Sequence, residues 1–237
     1  MPLKESCPST VLIFVKQTEY RIRTVRGHIL LTDDRGSVAL LDTGSPFSFH
    51  ADGMIALGGE TFNVGTSLMG ADSAYVTENV GTAVDGLVGL DIMGRCGLLI
   101  DVPGGRVVFG RSTDGMTSVP SGSGFGYVAV DMDVRGRTAK VIIDTGAPTS
   151  YVSPSLTEGL GAVDTVTDFN PMVPGGTFET PIFEFPASFG GRSFDMKAGH
   201  LPSTLRTMLS LMGVDGVVGM ELLKHQPLLI AEGRVWL

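Results

Sequence analysis

The chain is poor in the residues that would tie it to metals, nucleic acid or a membrane. It has two cysteines in 237 residues, Cys7 and Cys96, and that spacing implies neither a disulfide framework nor a metal cluster; two reduced thiols are the simpler reading. Its four histidines, His28, His50, His200 and His225, are scattered without an HExxH or paired spacing, so zinc chemistry has no support. Lys and Arg number 17 against 25 Asp and Glu, for a formal net charge of -8. That balance disfavours nucleic acid, because phosphate contacts need clustered cations. No apolar run approaches the roughly 18–20 residues that span a bilayer. The run nearest the start, VLIFV at 11–15, is too short for a signal-peptide core and lacks a small-residue cleavage site after it. These absences predict a cytoplasmic protein with no nucleic-acid or membrane partner, and the early start of β-like sequence leaves little room for a propeptide. A P-loop and a GxSxG elbow are also missing. GSGFG at 122–126 resembles a nucleotide loop, but it precedes a strand rather than opening a helix.

What the chain does have is glycine, 33 residues of it, with 13 prolines, bounding many short apolar runs. Runs such as YRIRTVRGHILL, SVALLD, GYVAVDMDV and TAKVIID are rich in Val and Ile and read as strands. Helix signals are few. LPSTLRTMLSLMG (201–213) has helical spacing of Leu and Met, Ser203 or Thr204 as cap and Gly213 as stop, and its apolar face is expected in the core. LDIMGR and MELLKH each have room for a turn or two. The class is mainly β.

The sequence also repeats itself. LLDTGSPFSF (40–49) matches IIDTGAPTSY (142–151) at an offset of 102; DGLVGLDIMGRCGLLI (85–100) matches DGVVGMELLKHQPLLI (215–230) at 130; GRVVF (105–109) then matches GRVWL (233–237). Three matches in the same order imply two homologous lobes, 1–118 and 127–237, joined by a flexible Gly/Ser-rich linker at 119–126. Each lobe is of a size to build one core.

The repeated Asp-Thr-Gly carries the chemistry. An apolar pair ends a buried strand, Asp follows where its carboxylate leaves the core, Thr offers a hydroxyl, and Gly permits the turn. Two copies on related lobes would bring two carboxylates to one interface. Such a pair cannot ionise fully without mutual repulsion, so it shares a proton and supplies both a base and an acid.

In these residues the sequence resembles the pepsin/retropepsin-type aspartic proteases, in a compact single-chain, two-lobe form; that family's dyad is itself the standard example of a shared proton. Apolar-apolar-Asp-Thr-Gly occurs twice, as does the later apolar-apolar-Gly: Leu40–Gly44 with Leu87-Val88-Gly89, and Ile142–Gly146 with Val217-Val218-Gly219. The resemblance implies a bilobal pepsin-like fold and an endopeptidase that needs no cofactor or metal. It implies Asp42 and Asp144 as the catalytic dyad, with Thr43 and Thr145 holding the two loops together. Gly44, Gly146, Gly89 and Gly219 would support those loops, and Ser45 and Ala147 follow them toward substrate. An extended peptide or protein is the implied substrate, cut by a monomer. A covering flap belongs between the two elements of a lobe. Only 43 residues separate Asp42 from Gly86, against 71 between Asp144 and Gly216. The flap is therefore expected on the second lobe, as a hairpin over 166–185 with Pro174, Gly175 and Gly176 at its tip. Tyr75 is read as an ordinary strand or loop-edge residue. Asp33-Asp34 with Gly36 reads as a hairpin turn, and Asp131 and Asp133 as solvent-facing strand residues rather than metal ligands. The alternatives are a peptide-binding protein of the same fold that does not cut, and a homodimer of retropepsin-like halves.

Overall fold

The computed structural model describes residues 16–119, 121–124, 126–170, 172–173 and 176–237. Strands dominate, as the alternating Val- and Ile-rich runs require, and most join two large sheets. The N-terminal run at 11–15 and Cys7 lie outside the described residues. Cys96 is buried and unpaired.

The two repeats form the same local pairing. In the first, strand Val38–Leu41 lies parallel to Gly86–Val88, which is flanked on its other side by antiparallel Phe49–His50. In the second, Arg137–Ile143 lies parallel to Gly216–Val218, flanked by antiparallel Ser150–Val152. The registers correspond residue by residue. Leu40 faces Leu87 and Ile142 faces Val217; Phe49 faces Leu87 and Tyr151 faces Val217. The offsets of 102 and 130 read from the sequence thus recur as hydrogen-bond register. A Cβ on Gly86 would come within 2.6 Å of the Phe49 carbonyl, and one on Gly216 would strike the Tyr151 carbonyl, so neither position of the close crossing accepts a side chain.

The repeats also share a sheet. Strand Leu98–Asp101 pairs antiparallel with Leu228–Ala231, and the repeat-related residues Leu99 and Leu229 face each other. The nine-stranded sheet therefore takes its last two strands, Leu228–Ala231 and Arg234–Trp236, from the second repeat. Buried apolar residues of both repeats consequently belong to one continuous cluster, from Ile29 and Phe109 through Leu98 and Leu228 to Met196 and Val235. A core confined to each repeat was the sequence expectation; the shared strand pair fuses the two. Smaller clusters lie to either side, one of them joining Leu40, Phe49, Val76, Val80 and Leu87 beneath helix Ser73–Val80.

The connector differs from its expected flexible form. Ser121–Gly124 is a strand paired with Tyr127–Val130, and Val119 donates its N–H to the Val235 carbonyl at 2.9 Å. Helix Ser203–Leu211 forms where its spacing predicts, but its cap is Pro202, with no side-chain bond, rather than Ser203 or Thr204. Proline sets the entry dihedral and Ser203 is already helical. Its apolar face is split: Leu205 is buried, while Met208 and Leu211 are 47% and 82% exposed. The turn at Asp33-Asp34 joins His28–Thr32 to Val38–Leu41, and Asp131 and Asp133 are exposed. No helix among the described residues is long and apolar enough to cross a membrane.

Candidate active site

Asp42 and Asp144 each follow the buried end of a strand that lies parallel to Gly86–Val88 or Gly216–Val218. The Asp42 N–H donates to the Val88 carbonyl at 3.0 Å and the Asp144 N–H to the Val218 carbonyl at 2.9 Å. Each backbone is thus tied to the apolar strand just before Gly89 or Gly219.

The next residue in each loop locks the two loops together. Thr43 and Thr145 are fully buried. The Thr43 hydroxyl donates to the Ile143 carbonyl at 2.7 Å and accepts the Thr145 N–H at 2.9 Å. The Thr145 hydroxyl donates to the Leu41 carbonyl at 2.8 Å and accepts the Thr43 N–H at 3.0 Å. Four bonds exchanged between repeat-related residues leave the loops one arrangement, with the carboxyls side by side. The Gly44 N–H donates to Asp42 Oδ1 and the Gly146 N–H to Asp144 Oδ1, both at 2.9 Å. Each glycine also faces the opposite carboxyl. A Cβ on Gly146 would lie 2.5 Å from the Asp42 carboxyl, and one on Gly44 would overlap that of Asp144. Here glycine is required for space rather than for an unusual backbone angle.

The supporting residues repeat too. The Leu90 N–H donates to the Ser45 carbonyl at 2.9 Å and the Met220 N–H to the Ala147 carbonyl at 3.1 Å. A Cβ on Gly89 would sit 2.7 Å from the Phe47 backbone, and one on Gly219 would strike the Ala147 carbonyl. Ser48 and Ser150 were not singled out from the sequence, yet their hydroxyls accept the Gly89 and Gly219 N–H groups at 2.8 and 3.1 Å. Their signal was present: both fall inside the matched blocks at the common offset of 102.

Electrostatics follow from this geometry. Burial, then the negative charge of Asp144 and a hydrogen bond with it, raise the Asp42 carboxyl well above the usual carboxylate range. Burial also raises Asp144, opposed by hydrogen bonds from Asp42 and from the Gly146, Ala147 and Gly44 backbone. The two titrate as a pair that keeps one proton above the pH at which isolated carboxyls lose theirs. Tyr127, another residue missed in the sequence, lines the same cavity as both carboxyls, and burial together with their charges raises its phenol.

Both carboxyls line a cavity of about 250 Å³. No family model matches the sequence, and no curated protein matches it. The cavity itself must therefore indicate the chemistry. Ser45 and Ala147 line it, as does the hairpin formed by Asp164–Phe169 and Thr177–Phe189, through Phe169, Asn170, Met172 and Phe178. The hairpin reaches the first repeat: the Phe169 ring lies 5.9 Å from His28 and 6.3 Å from Tyr75. Its turn is closed by the Asn170 N–H donating to the Gly176 carbonyl at 2.8 Å, with Gly176 at φ 77°. Pro174 and Gly175 lie outside the described residues. Tyr75 stands on a helix, not on a strand or loop edge, and lines the cavity. Asp72 caps that helix by accepting the Tyr75 N–H at 2.9 Å, and Gly81 ends it at φ 78°. The first repeat also contributes a small ribbon, Ser67–Leu68 with Ala71–Asp72, whose Met69 lines the cavity. The cavity is thus bordered by a turn from each repeat, where the sequence indicated one.

A larger cavity of about 420 Å³ lies between helix Ser203–Leu211 and Val152–Pro154. It contains neither Asp42 nor Asp144, so size alone does not select the reactive site. Among the described residues no group of three or more His, Cys, Asp or Glu is placed to hold a metal ion.

Proposed function

We propose that the protein is an aspartic endopeptidase of the pepsin/retropepsin type, with two related lobes, 1–118 and 127–237, and one active site between them. The observation that carries this reading is the reciprocal Thr43–Thr145 exchange, which seats two raised carboxyls together in a cavity. With one proton on the pair, the ionised carboxyl takes a proton from water as the water oxygen attacks the scissile carbonyl carbon. The protonated carboxyl donates to the carbonyl oxygen as it gains charge, and the proton taken from water then passes to the leaving nitrogen. The glycines at 44 and 146 let each carboxyl approach the other loop. An extended peptide lies along the cavity under the hairpin, held through backbone hydrogen bonds. A single chain supplies both carboxyls, so the working form is a monomer.

The test is cleavage of a diverse peptide mixture from pH 3 to 7 by the native protein and by Asp144→Asn. The expected result is cleavage with an acidic or mildly acidic optimum that the variant loses while its fold persists. Folded native protein that cuts nothing across this range would refute the peptidase reading and favour a peptide-binding role.

A further inference from the structure

Most of the cavity wall beside the carboxyl pair is apolar, but one corner holds a carboxylate and an imidazole, and among the described residues no Lys or Arg lines the cavity. Asp168, on the hairpin strand, lines the cavity. Its Oδ1 accepts the Phe169 N–H at 2.8 Å and its Oδ2 accepts the Tyr151 hydroxyl. Both donors are neutral. Among the described residues no Lys or Arg forms an ion pair with Asp168, and none lines the cavity. Asp168 is only partly buried, so a cation entering the cavity can reach it and add a charge-assisted hydrogen bond.

His28 supplies the imidazole. It lines the same cavity, is 2% exposed, and its Nδ1 has no hydrogen-bond partner. Its ring packs against Phe169, the residue after Asp168. Burial, helped by the positive charge of Arg26, pulls its pKa below the ordinary histidine value, against the opposing charge of Asp168 and a hydrogen bond to the Gly146 backbone. A neutral ring that donates through one nitrogen presents a lone pair on the other. A buried lone pair without a donor is a cost that a bound donor removes.

We propose that Asp168 and His28 form a specificity pocket for a basic side chain, so that the substrates are peptides carrying Lys or Arg close to the bond that is cut. This rests on the peptidase reading above. An ammonium or guanidinium group offers donors only, and so satisfies a carboxylate and an imidazole lone pair at once. Its aliphatic stem suits the aromatic wall made by Phe169 and Tyr75. An acidic side chain would instead meet Asp168 together with the charge on the Asp42–Asp144 pair. The pocket exists on one side of the site only. Tyr151, whose hydroxyl fixes Asp168, corresponds to Phe49 in the first repeat, which has no hydroxyl. One basic residue at one defined position is therefore selected.

The test uses peptides identical but for one residue, either Lys, norleucine or Glu, scanned through the positions on both sides of the cleaved bond. Rates with the native protein and Asp168→Asn are compared with peptide binding to Asp144→Asn and to the Asp144→Asn, Asp168→Asn double variant. At one position Lys is expected to exceed norleucine by about ten-fold in kcat/KM, with Glu poorest, and Asp168→Asn should bring the Lys-to-norleucine ratio close to one. Arg against its neutral isostere citrulline repeats the comparison on the native protein alone, should Asp168→Asn fold poorly. Cleavage without a basic preference, or a preference that survives Asp168→Asn, overturns the pocket and leaves the peptidase reading intact. Absence of cleavage, with Asp168-dependent binding of the Lys peptide over the norleucine peptide, supports the pocket and overturns the peptidase reading. Neither cleavage nor selective binding overturns both.

Discussion

Replacing Thr43 with Val removes one hydroxyl from the centre of the four-bond exchange. The side chain keeps nearly the same shape, so the change isolates hydrogen bonding from packing. Two partners remain behind in a fully buried position: the Thr145 N–H, held at 2.9 Å, and the Ile143 carbonyl, held at 2.7 Å. A buried polar group left without a partner costs about 1–3 kcal/mol, so the pair costs about 2–6 kcal/mol. Against a typical total of about 5–15 kcal/mol, that is a large fraction of the stability. Thr43→Ser is the control. It keeps the oxygen and loses one methyl, for about 1 kcal/mol. Urea unfolding read by circular dichroism measures both, with the slope of the transition checked to be unchanged. Thr145→Val should give a matching loss, because it strands the Thr43 N–H and the Leu41 carbonyl at 3.0 and 2.8 Å. If Thr43→Val is no less stable than Thr43→Ser, the exchange does not hold the loops together and the reasoning fails.

The carboxyl pair makes a pH prediction of definite sign. Both groups are raised in the folded chain, chiefly by burial. The folded state then holds more protons than the unfolded state between the ordinary carboxylate pKa and the raised values, and stability falls as pH rises through that window. Asp42→Asn removes the repulsion, so the variant should exceed the native protein in stability at neutral pH. The gain is about 1.4 kcal/mol for every tenfold by which folding strengthens proton binding at the pair, and it closes below about pH 4. Thermal unfolding at pH 3.5 and 7 checks this, and an equal gap at both would contradict it. Gly146→Ala places a methyl 2.5 Å from the Asp42 carboxyl. It should abolish peptide cleavage while costing only about 1–3 kcal/mol in stability, measured by turnover and denaturant unfolding on the same preparation; full turnover would show that the carboxyl is not confined there.

The site was legible where chemistry and repetition coincide. Asp42, Thr43 and Gly44 lie in a contiguous block, and a second block of the same pattern fixes which residues meet across the interface. The parallel pairing of Leu40 with Leu87 and of Ile142 with Val217 follows the same offsets. Helix Ser73–Val80 was missed because β-branched Val76, Thr77 and Val80 weaken its helical signal, although Asp72 and Gly81 supply both of its end signals. Gly and Ser in the connector indicate flexibility, but the backbone of Ser121–Gly124 pairs with the strand that follows, which needs no bulky side chains. His28, Tyr127 and Asp168 had no sequence signal, since each is a single residue carried into the cavity by a different strand.

The strand shared between the repeats bears on how the chain is made. Leu98–Asp101 has one partner, Arg106–Phe109, close behind it in sequence, and the other, Leu228–Ala231, begins 130 residues later. At roughly 5–20 residues per second, a ribosome would leave that edge open for about 6–26 s. Throughout that interval the nascent first half presents an unpaired, highly apolar Leu-Leu-Ile edge, the kind of surface that recruits strands from neighbouring chains. Protection during synthesis must come from outside the chain or from speed.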